Sequence, residues 1–266
     1  MTNIGIITGS GTYALPDFEG GPTELVATEW GDAGVSRGRF AGCDVVHLSR
    51  HGDGHVRLSN HVNHRANVAA LAKVGADAVI AVTVCGGVDP GLKLGSLICF
   101  DDLHFPVNRL PDGSLCTFFS EPGDRRRGHW IYEDPYSPAL RKALLEGGRE
   151  AGQPVRDGGC YGHVDGPRFN TKAEIRGLAA CGVTAVSQTA GPESVLAGEL
   201  ELPFALLGFV TDYANGVVDE PTPVETLLEM MAQSTQAFAS VIASALGRID
   251  AGELHGAGIV YRFESD

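Results

Sequence analysis

Three features of the 266-residue chain predict an α/β fold. Apolar runs of strand length recur, amphipathic segments with helix-end signals lie between them, and no apolar stretch reaches the ~18 residues of a membrane span. Strands alternating with helices imply a mixed, mostly parallel sheet covered on both faces.

Each element has a local reason. Strands are expected at residues 4–7, 44–48, 78–84, 96–100, 183–187 and 204–210, all short apolar runs. A helix over residues 60–74 keeps Ala and Leu on one face and stops at Gly75. A second, over residues 138–150, opens with Pro138 in its first turn. Thr171 and Glu174 form a capping-box pattern for a third, which ends before Gly182. The last is announced by Thr222 as N-cap, Pro223 at the first helical position and Glu225 closing a capping box; it runs to about Leu246, with Gly247 as its stop. The polar segment 104–134, rich in Pro, Gly and Arg, is too long for an idle connection and reads as a functional or interface loop. With neither repeat nor linker, residues 1–266 read as a single domain.

Composition narrows the partners. A formal charge of −13 argues against a nucleic-acid or anionic-membrane surface, so a phosphate-bearing ligand must be held by a local device. Met1-Thr2-Asn3-Ile4-Gly5 enters a strand directly, without a signal segment, and a cytoplasmic location is expected. Cys43, Cys85, Cys99, Cys116, Cys160 and Cys181 are scattered without a C-x-x-C pair, which favours buried reduced thiols over disulfides or zinc.

Several strand ends carry polar chemistry. Gly9-Ser10-Gly11-Thr12-Tyr13-Ala14 matches the dinucleotide fingerprint G-x-G-x-x-A, which would suit an NAD-dependent oxidoreductase. Pro16, Gly20, Gly21 and Pro22 deny it the helix that fingerprint requires. The turn can instead hold one phosphate through backbone N–H groups and the Ser10 hydroxyl, or be a plain tight turn. In Ser49-Arg50-His51-Gly52-Asp53-Gly54-His55, Arg50 can grip a phosphate through two parallel hydrogen bonds and His51 can add a donor. The glycines make this a loop, so the H-x-x-x-H spacing of His51 and His55 is not a helical metal pair, and no metal is expected. Thr83 and Val84 precede Cys85-Gly86-Gly87, where glycines let a flat ligand lie against the backbone. Phe169 offers a ring for a base or for the core, and Gln188-Thr189 sits at another strand–turn–helix junction. Asp212 ends the apolar run 204–210: it is either a partly buried acid able to donate a proton or a turn-forming Asp.

In order along the chain, these pieces resemble the methylthioadenosine phosphorylase branch of the purine nucleoside phosphorylases. The marks are G-[ST]-G at Gly9–Gly11, R-H-G-x-x-H at 50–55, V-N-x-x-A-N at 62–67, T-x-C-G at 83–86, G-P-R-F at 166–169, T-x-x-P-E at 189–193 and T-D-Y at 211–213. The resemblance covers about residues 4–230 and implies a phosphorylase/hydrolase-like distorted barrel, a homotrimer, no cofactor, and inorganic phosphate as co-substrate. It implies that Ser10, Arg50, His51, Thr83, Val84 and Thr189 surround phosphate, that Gln188 lies against the ribose, that Phe169 stacks near the base, and that Asp212 faces purine N7. His129 would enter the neighbouring subunit's 5′ pocket, and Val224 and Leu227 would line that pocket with apolar surface.

The implied reaction is phosphorolysis of a purine nucleoside, with S-methyl-5′-thioadenosine or a close analogue as substrate. Three positions depart from the adenine-specific pattern. Ala214 replaces the second acid of D-Y-D, Gln188 stands where methionine is usual, and Asn170 where serine is usual. An amide at Asn170 suits a 6-oxopurine, which keeps inosine, guanosine and methylthioinosine as rival substrates.

Overall fold

Alternating strands and helices appear in the computed structural model, which describes residues 2–12 and 15–263, with Asp53 described in its backbone only. Tyr13 and Ala14, the end of the glycine-turn motif, lie outside the described residues, as do the last three residues of the tail. The first strands are β1 (Ile4–Thr8), β2 (Glu19–Gly20), β3 (Glu24–Thr28), β4 (Gly31–Phe40), β5 (Cys43–Ser49), β6 (Ala78–Gly87) and β7 (Leu97–Cys99). They are followed by β8 (Asp102–His104), β9 (Gly128–Ile131), β10 (Val155–Asp157), β11 (Cys160–His163), β12 (Val183–Ser187), β13 (Phe204–Tyr213) and β14 (Ile259–Arg262). The helices are α1 (His64–Lys73), α2 (Pro138–Glu150), α3 (Lys172–Ala180), α4 (Ala190–Glu199) and α5 (Val224–Leu246).

One mixed sheet runs in the order β10-β7-β13-β6-β1-β5-β4-β2, with β3 on β4. At its centre β1 is parallel to β5 and β6, and β6 is parallel to β13. The sheet forks where Gly86 and Gly87 pair with β13 on one side and antiparallel with β12 on the other, and β11 and β8 continue that arm.

The central strands are apolar on both faces because each face has its own core. Ile4, Ile6, Ala78, Ile80, Val82, Ala205, Leu207 and Phe209 pack with Leu140 and Leu144 of α2 and Phe238, Val241 and Ile242 of α5. The alternate residues Ile7, Val79, Ala81, Leu206 and Val210 pack with Val68 and Leu71 of α1 and Leu196 of α4. Such two-sided burial is worth about 25 cal/mol per Å² of apolar surface removed from water. It leaves the strand ends as the place for polar chemistry.

The predicted elements are present, with shifted ends. β6 and β13 run three residues beyond the expected 84 and 210, because each continues as polar or glycine backbone in the fork. α1 starts at His64 rather than 60; Asn63 caps it by accepting from the Ala66 N–H, and Ser59–His61 form a separate 3-10 turn. The Thr171–Glu174 capping box forms with both of its reciprocal bonds. At α5 the expected cap does not form. Pro223 is the N-cap with no side-chain bond, and the Thr222 hydroxyl accepts from the Tyr213 N–H instead. β9 emerges from the segment read as loop and pairs antiparallel with β14 in a two-stranded ribbon, which gives the apolar residues of the tail a partner. All six cysteines are free; Cys85, Cys99 and Cys116 are buried, whereas Cys181 is exposed.

Candidate active site

Among the described residues, β1 is followed by strand β2 and not by a helix, so the G-x-G-x-x-A turn lacks the element a dinucleotide site needs. The turn closes with the Thr12 N–H donating to the Gly9 carbonyl, and Ser10 lines a cavity of about 310 Å³. That cavity lies at the ends of β1, β5, β6, β12 and β13, where open α/β sheets place ligands. It gathers Ser10, Arg50, His51, Thr83, Val84 and Thr189 with Phe169, Asn170, Gln188, Asp212, Ala214 and Leu227. Residues separated by more than 200 positions thus share one volume near the lower end of small-ligand pockets.

At one end the groups suit an anion. Arg50 follows β5 and is 2% exposed. Its Nε and Nη2 donate to Glu193 Oε1 and Oε2 at 2.5 and 2.7 Å, and Nη1 donates to the Val82 carbonyl at 3.1 Å. A guanidinium has five N–H donors, so two remain. The expected two-bond grip on phosphate therefore cannot use the Nε–Nη2 face; Nη1 and Nη2 must supply it. Burial alone would raise the Glu193 carboxyl, but the Arg50 charge and its hydrogen bonds hold it at about 2. Glu193 sits in the first turn of α4, whose N-terminus adds partial positive charge beside Thr189.

His51 corrects a second expectation. Burial and the adjacent Arg50 charge push its pKa down to about 4, so the ring is neutral near neutral pH. Its Nδ1 lies 2.8 Å from the Arg57 carbonyl, which can only accept, so Nδ1 carries the proton and Nε2 a lone pair. His51 is an acceptor toward the cavity, not the donor anticipated. A Cβ on Gly9 would collide with Arg50 Nη1 and stand 3.7 Å from His51 Nε2, so the bare glycine lets the turn approach both. His51 also stacks on His55, with ring centroids 4.2 Å apart. Thr83 Oγ1 lies 3.1 Å from Ser187 Oγ, which brings the hydroxyls of β6 and β12 together.

The other end suits a flat base. In β13 the register slips between Val210 and Asp212, so Thr211 is an extra residue and Asp212 pairs with Gly86. Such a bulge re-aims the next side chain, here into the cavity. A Cβ on Gly86 would lie 3.3 Å from Asp212 Oδ2 and 3.6 Å from Ala214 Cβ, so glycine keeps space open along that edge. Thr211 Oγ1 is 2.8 Å from Asp212 Oδ1. Burial raises the Asp212 carboxyl above its ordinary range, outweighing that hydrogen bond. Phe169 is 63% exposed and stands at the rim, whereas Ala214 is buried at 7%.

Two expected residues stay outside this cavity. Val224 is 67% exposed because it begins α5 on the solvent side; the apolar wall comes from Leu227 and, one turn on, Met231. His129 lies on β9, edge-to-face with Phe263, and does not reach the cavity of its own chain. Sequence reasoning passed over Met231, Ser59 and Glu193 as site residues. Met231 could have been found from its i+4 spacing to Leu227, and Glu193 as the acid in the first turn of an otherwise apolar helix.

The chain is similar to known proteins over most of its length. The family model described as "Phosphorylase superfamily" matches residues 3–247. A "6-oxopurine nucleoside phosphorylase" of Pyrococcus furiosus is 34% identical over 251 residues, 92% of each chain. A "Probable S-methyl-5′-thioinosine phosphorylase" of Xanthomonas campestris is 34% identical over 87% of this chain and 92% of its own. Methylthioadenosine phosphorylase from Schistosoma mansoni, solved in complex with adenine, superposes with a TM-score of 0.83 at 26% identity, covering 93% of this chain and 91% of that one. With the family model spanning residues 3–247 and the fold matching that solved structure, this chain belongs to the phosphorylase superfamily.

Proposed function

We propose that the protein cleaves the N-glycosidic bond of a purine nucleoside with inorganic phosphate, S-methyl-5′-thioadenosine or a close analogue being the substrate. The observation that carries this reading is the single cavity in which an anion-holding end faces Asp212 on its bulge. As C1′ separates from purine N9 it gains positive charge, which an adjacent phosphate dianion stabilises before its oxygen bonds to C1′. The purine leaves more easily when N7 takes a proton, and Asp212 in its acid form supplies one. The same carboxyl's carbonyl oxygen accepts from a 6-amino group. Hydrogen phosphate carries one P–OH, which His51 Nε2 can accept, while Arg50, Ser10, Thr83 and Thr189 donate to the other oxygens. Leu227, Met231 and Leu58 make the 5′ side apolar, which suits a methylthio group better than a hydroxyl.

One observation favours a 6-oxopurine instead. Ala214 offers only a methyl where a second acid would receive the amine, and the Asn170 amide lines the same cavity. The relatives named for 6-oxopurine and thioinosine substrates are consistent with that reading. In a homotrimer, His129 of one subunit would complete the 5′ pocket of the next. No helix among the described residues is long and apolar enough to cross a membrane, and a cytoplasmic setting suits phosphate as co-substrate. The test incubates the protein with methylthioadenosine, methylthioinosine, adenosine, inosine and guanosine, with and without phosphate, and follows the free base. Phosphate-dependent release led by methylthioadenosine is expected. Preference for inosine, guanosine or methylthioinosine selects the 6-oxopurine reading, and no cleavage of any of them rejects both.

A further inference from the structure

Thr189 is the N-cap of α4, yet its side chain makes no bond to the helix. A threonine there ordinarily turns its hydroxyl onto an N–H of the first turn. Pro192, at the third position of α4, has no N–H to offer. The Ala190 N–H donates instead to Tyr161 Oη at 3.1 Å, and the Thr189 N–H faces the same oxygen. Tyr161 follows a register slip in β11, is 0% exposed and does not line the cavity. Its ring packs edge-to-face on Phe100, with centroids 5.4 Å apart. Burial pushes the phenol up to about 12, so it stays uncharged at neutral pH.

We infer that Tyr161 is a positioning residue for the proposed reaction: its hydroxyl caps α4 in place of Thr189 and so leaves the Thr189 hydroxyl to phosphate. The N–H groups of Thr189 and Ala190 converge on one phenol oxygen, which fixes the backbone from which the Thr189 side chain projects. That backbone has φ −138° and ψ −37°, not the extended geometry of an ordinary N-cap. Thr189 is 5% exposed and lines the cavity together with Arg50. The first N–H groups of a helix have no intrahelical partner, and a buried one left unpaired costs about as much as a lost hydrogen bond. Without the phenol oxygen, the Thr189 hydroxyl becomes the acceptor that an N-cap threonine ordinarily supplies. Phosphate then loses a donor whose position the fold had set in advance.

This inference rests on the proposed phosphorylase activity, and its test separates the two. The KM for phosphate, the KM for nucleoside and kcat are measured for the unaltered protein, Tyr161→Phe, Thr189→Val and the double variant, with urea unfolding as the check on fold. Tyr161→Phe keeps the ring and its packing on Phe100 and removes only the oxygen. It should raise the KM for phosphate about five- to tenfold, the effect of one neutral hydrogen bond, and leave the nucleoside KM within about twofold. Thr189→Val keeps the branched shape without the hydroxyl and should raise the phosphate KM by a similar factor. In the double variant the second substitution should add less than about twofold, because both remove the same donor. An unchanged phosphate KM in either single variant overturns the inference. So do two KM values that rise together in Tyr161→Phe, or effects that multiply in full in the double variant, because the phenol then supports the fold alone. Failure of Tyr161→Phe to fold assigns the oxygen to the fold and overturns it as well. Absence of phosphate-dependent cleavage by the unaltered protein would instead refute the underlying activity.

Discussion

Arg50 and Glu193 form a two-bond ion pair, 2.5 and 2.7 Å long, in which the side chains are 1% and 0% exposed. Burying two charges is costly, and breaking such a pair by removing one partner strands the other charge in a low-dielectric interior. The pair therefore fixes the guanidinium plane at the end of β5 and decides which of its donors face the cavity. On the proposed reading, Glu193 is a positioning residue, acting on phosphate through Arg50.

Glu193→Gln should lower stability by about 3 kcal/mol, the order found when a buried pair loses one member. Urea unfolding measures this. The substitution should also raise the KM for phosphate well above any change in the KM for nucleoside. Glu193 is depressed from 4.5 to about 2, so its contribution to stability is present above 4.5 and is lost as pH falls through about 2. Unfolding free energy should fall across that window in the unaltered protein and fall less in Glu193→Gln. Equal pH slopes, or equal changes in the two KM values, would count against the role.

His51 yields a prediction from its tautomer. In the phosphate-free protein, nitrogen NMR should find Nδ1 protonated and Nε2 bare at pH 7, with protonation of the ring only near about 4. Phosphate should move that titration upward, because the incoming anion favours the imidazolium. His51→Ala should raise the KM for phosphate roughly tenfold while changing the nucleoside KM little. A ring already charged at pH 7 without phosphate would contradict the acceptor role.

The sheet was legible because periodicity reports burial: β1, β6 and β13 alternate between two cores, and their apolar runs say so. The fork was not, because Gly86 and Gly87 carry no side-chain signal and pair only through tertiary contacts. The motif residues that meet in the cavity were readable from their strand-end positions. Their chemistry was less so: the donor role assigned to His51 was reversed by a carbonyl six residues away, and two of Arg50's five donors are taken by an acid 143 residues away. Val224 stays outside the cavity of its own chain: it begins α5 on the solvent side, whereas Leu227, three residues on, faces inward.

On the proposed reading, Asp212 ties base choice to pH. Burial raises its pKa, so the proton-donating form is retained above the ordinary carboxylate range and disappears as pH climbs past the raised value. For a 6-aminopurine nucleoside, kcat/KM should fall along that limb. Asp212→Asn should flatten the limb and reduce 6-aminopurine activity about a hundredfold or more, the usual span of a lost general acid, while sparing 6-oxopurines. An unchanged ratio of the two base classes would show that Asp212 does not choose between them.

The apolar wall on α5 bears on the 5′ substituent. Leu227→Asn places an amide beside Met231 and should cut the preference for methylthioadenosine over adenosine roughly tenfold, the scale of one apolar contact. Val224→Asn, outside the cavity, should leave that preference unaltered within a single subunit's site. Competition between the two nucleosides in one reaction gives the ratio directly.

Phosphorus NMR of a reaction containing protein, methylthioadenosine and inorganic phosphate tests the central claim most directly. The account predicts a sugar 1-phosphate resonance growing in equal amount to the free purine, at the expense of inorganic phosphate. Free purine accumulating while the phosphate signal stays constant would mean that water, not phosphate, attacks C1′, and would contradict it.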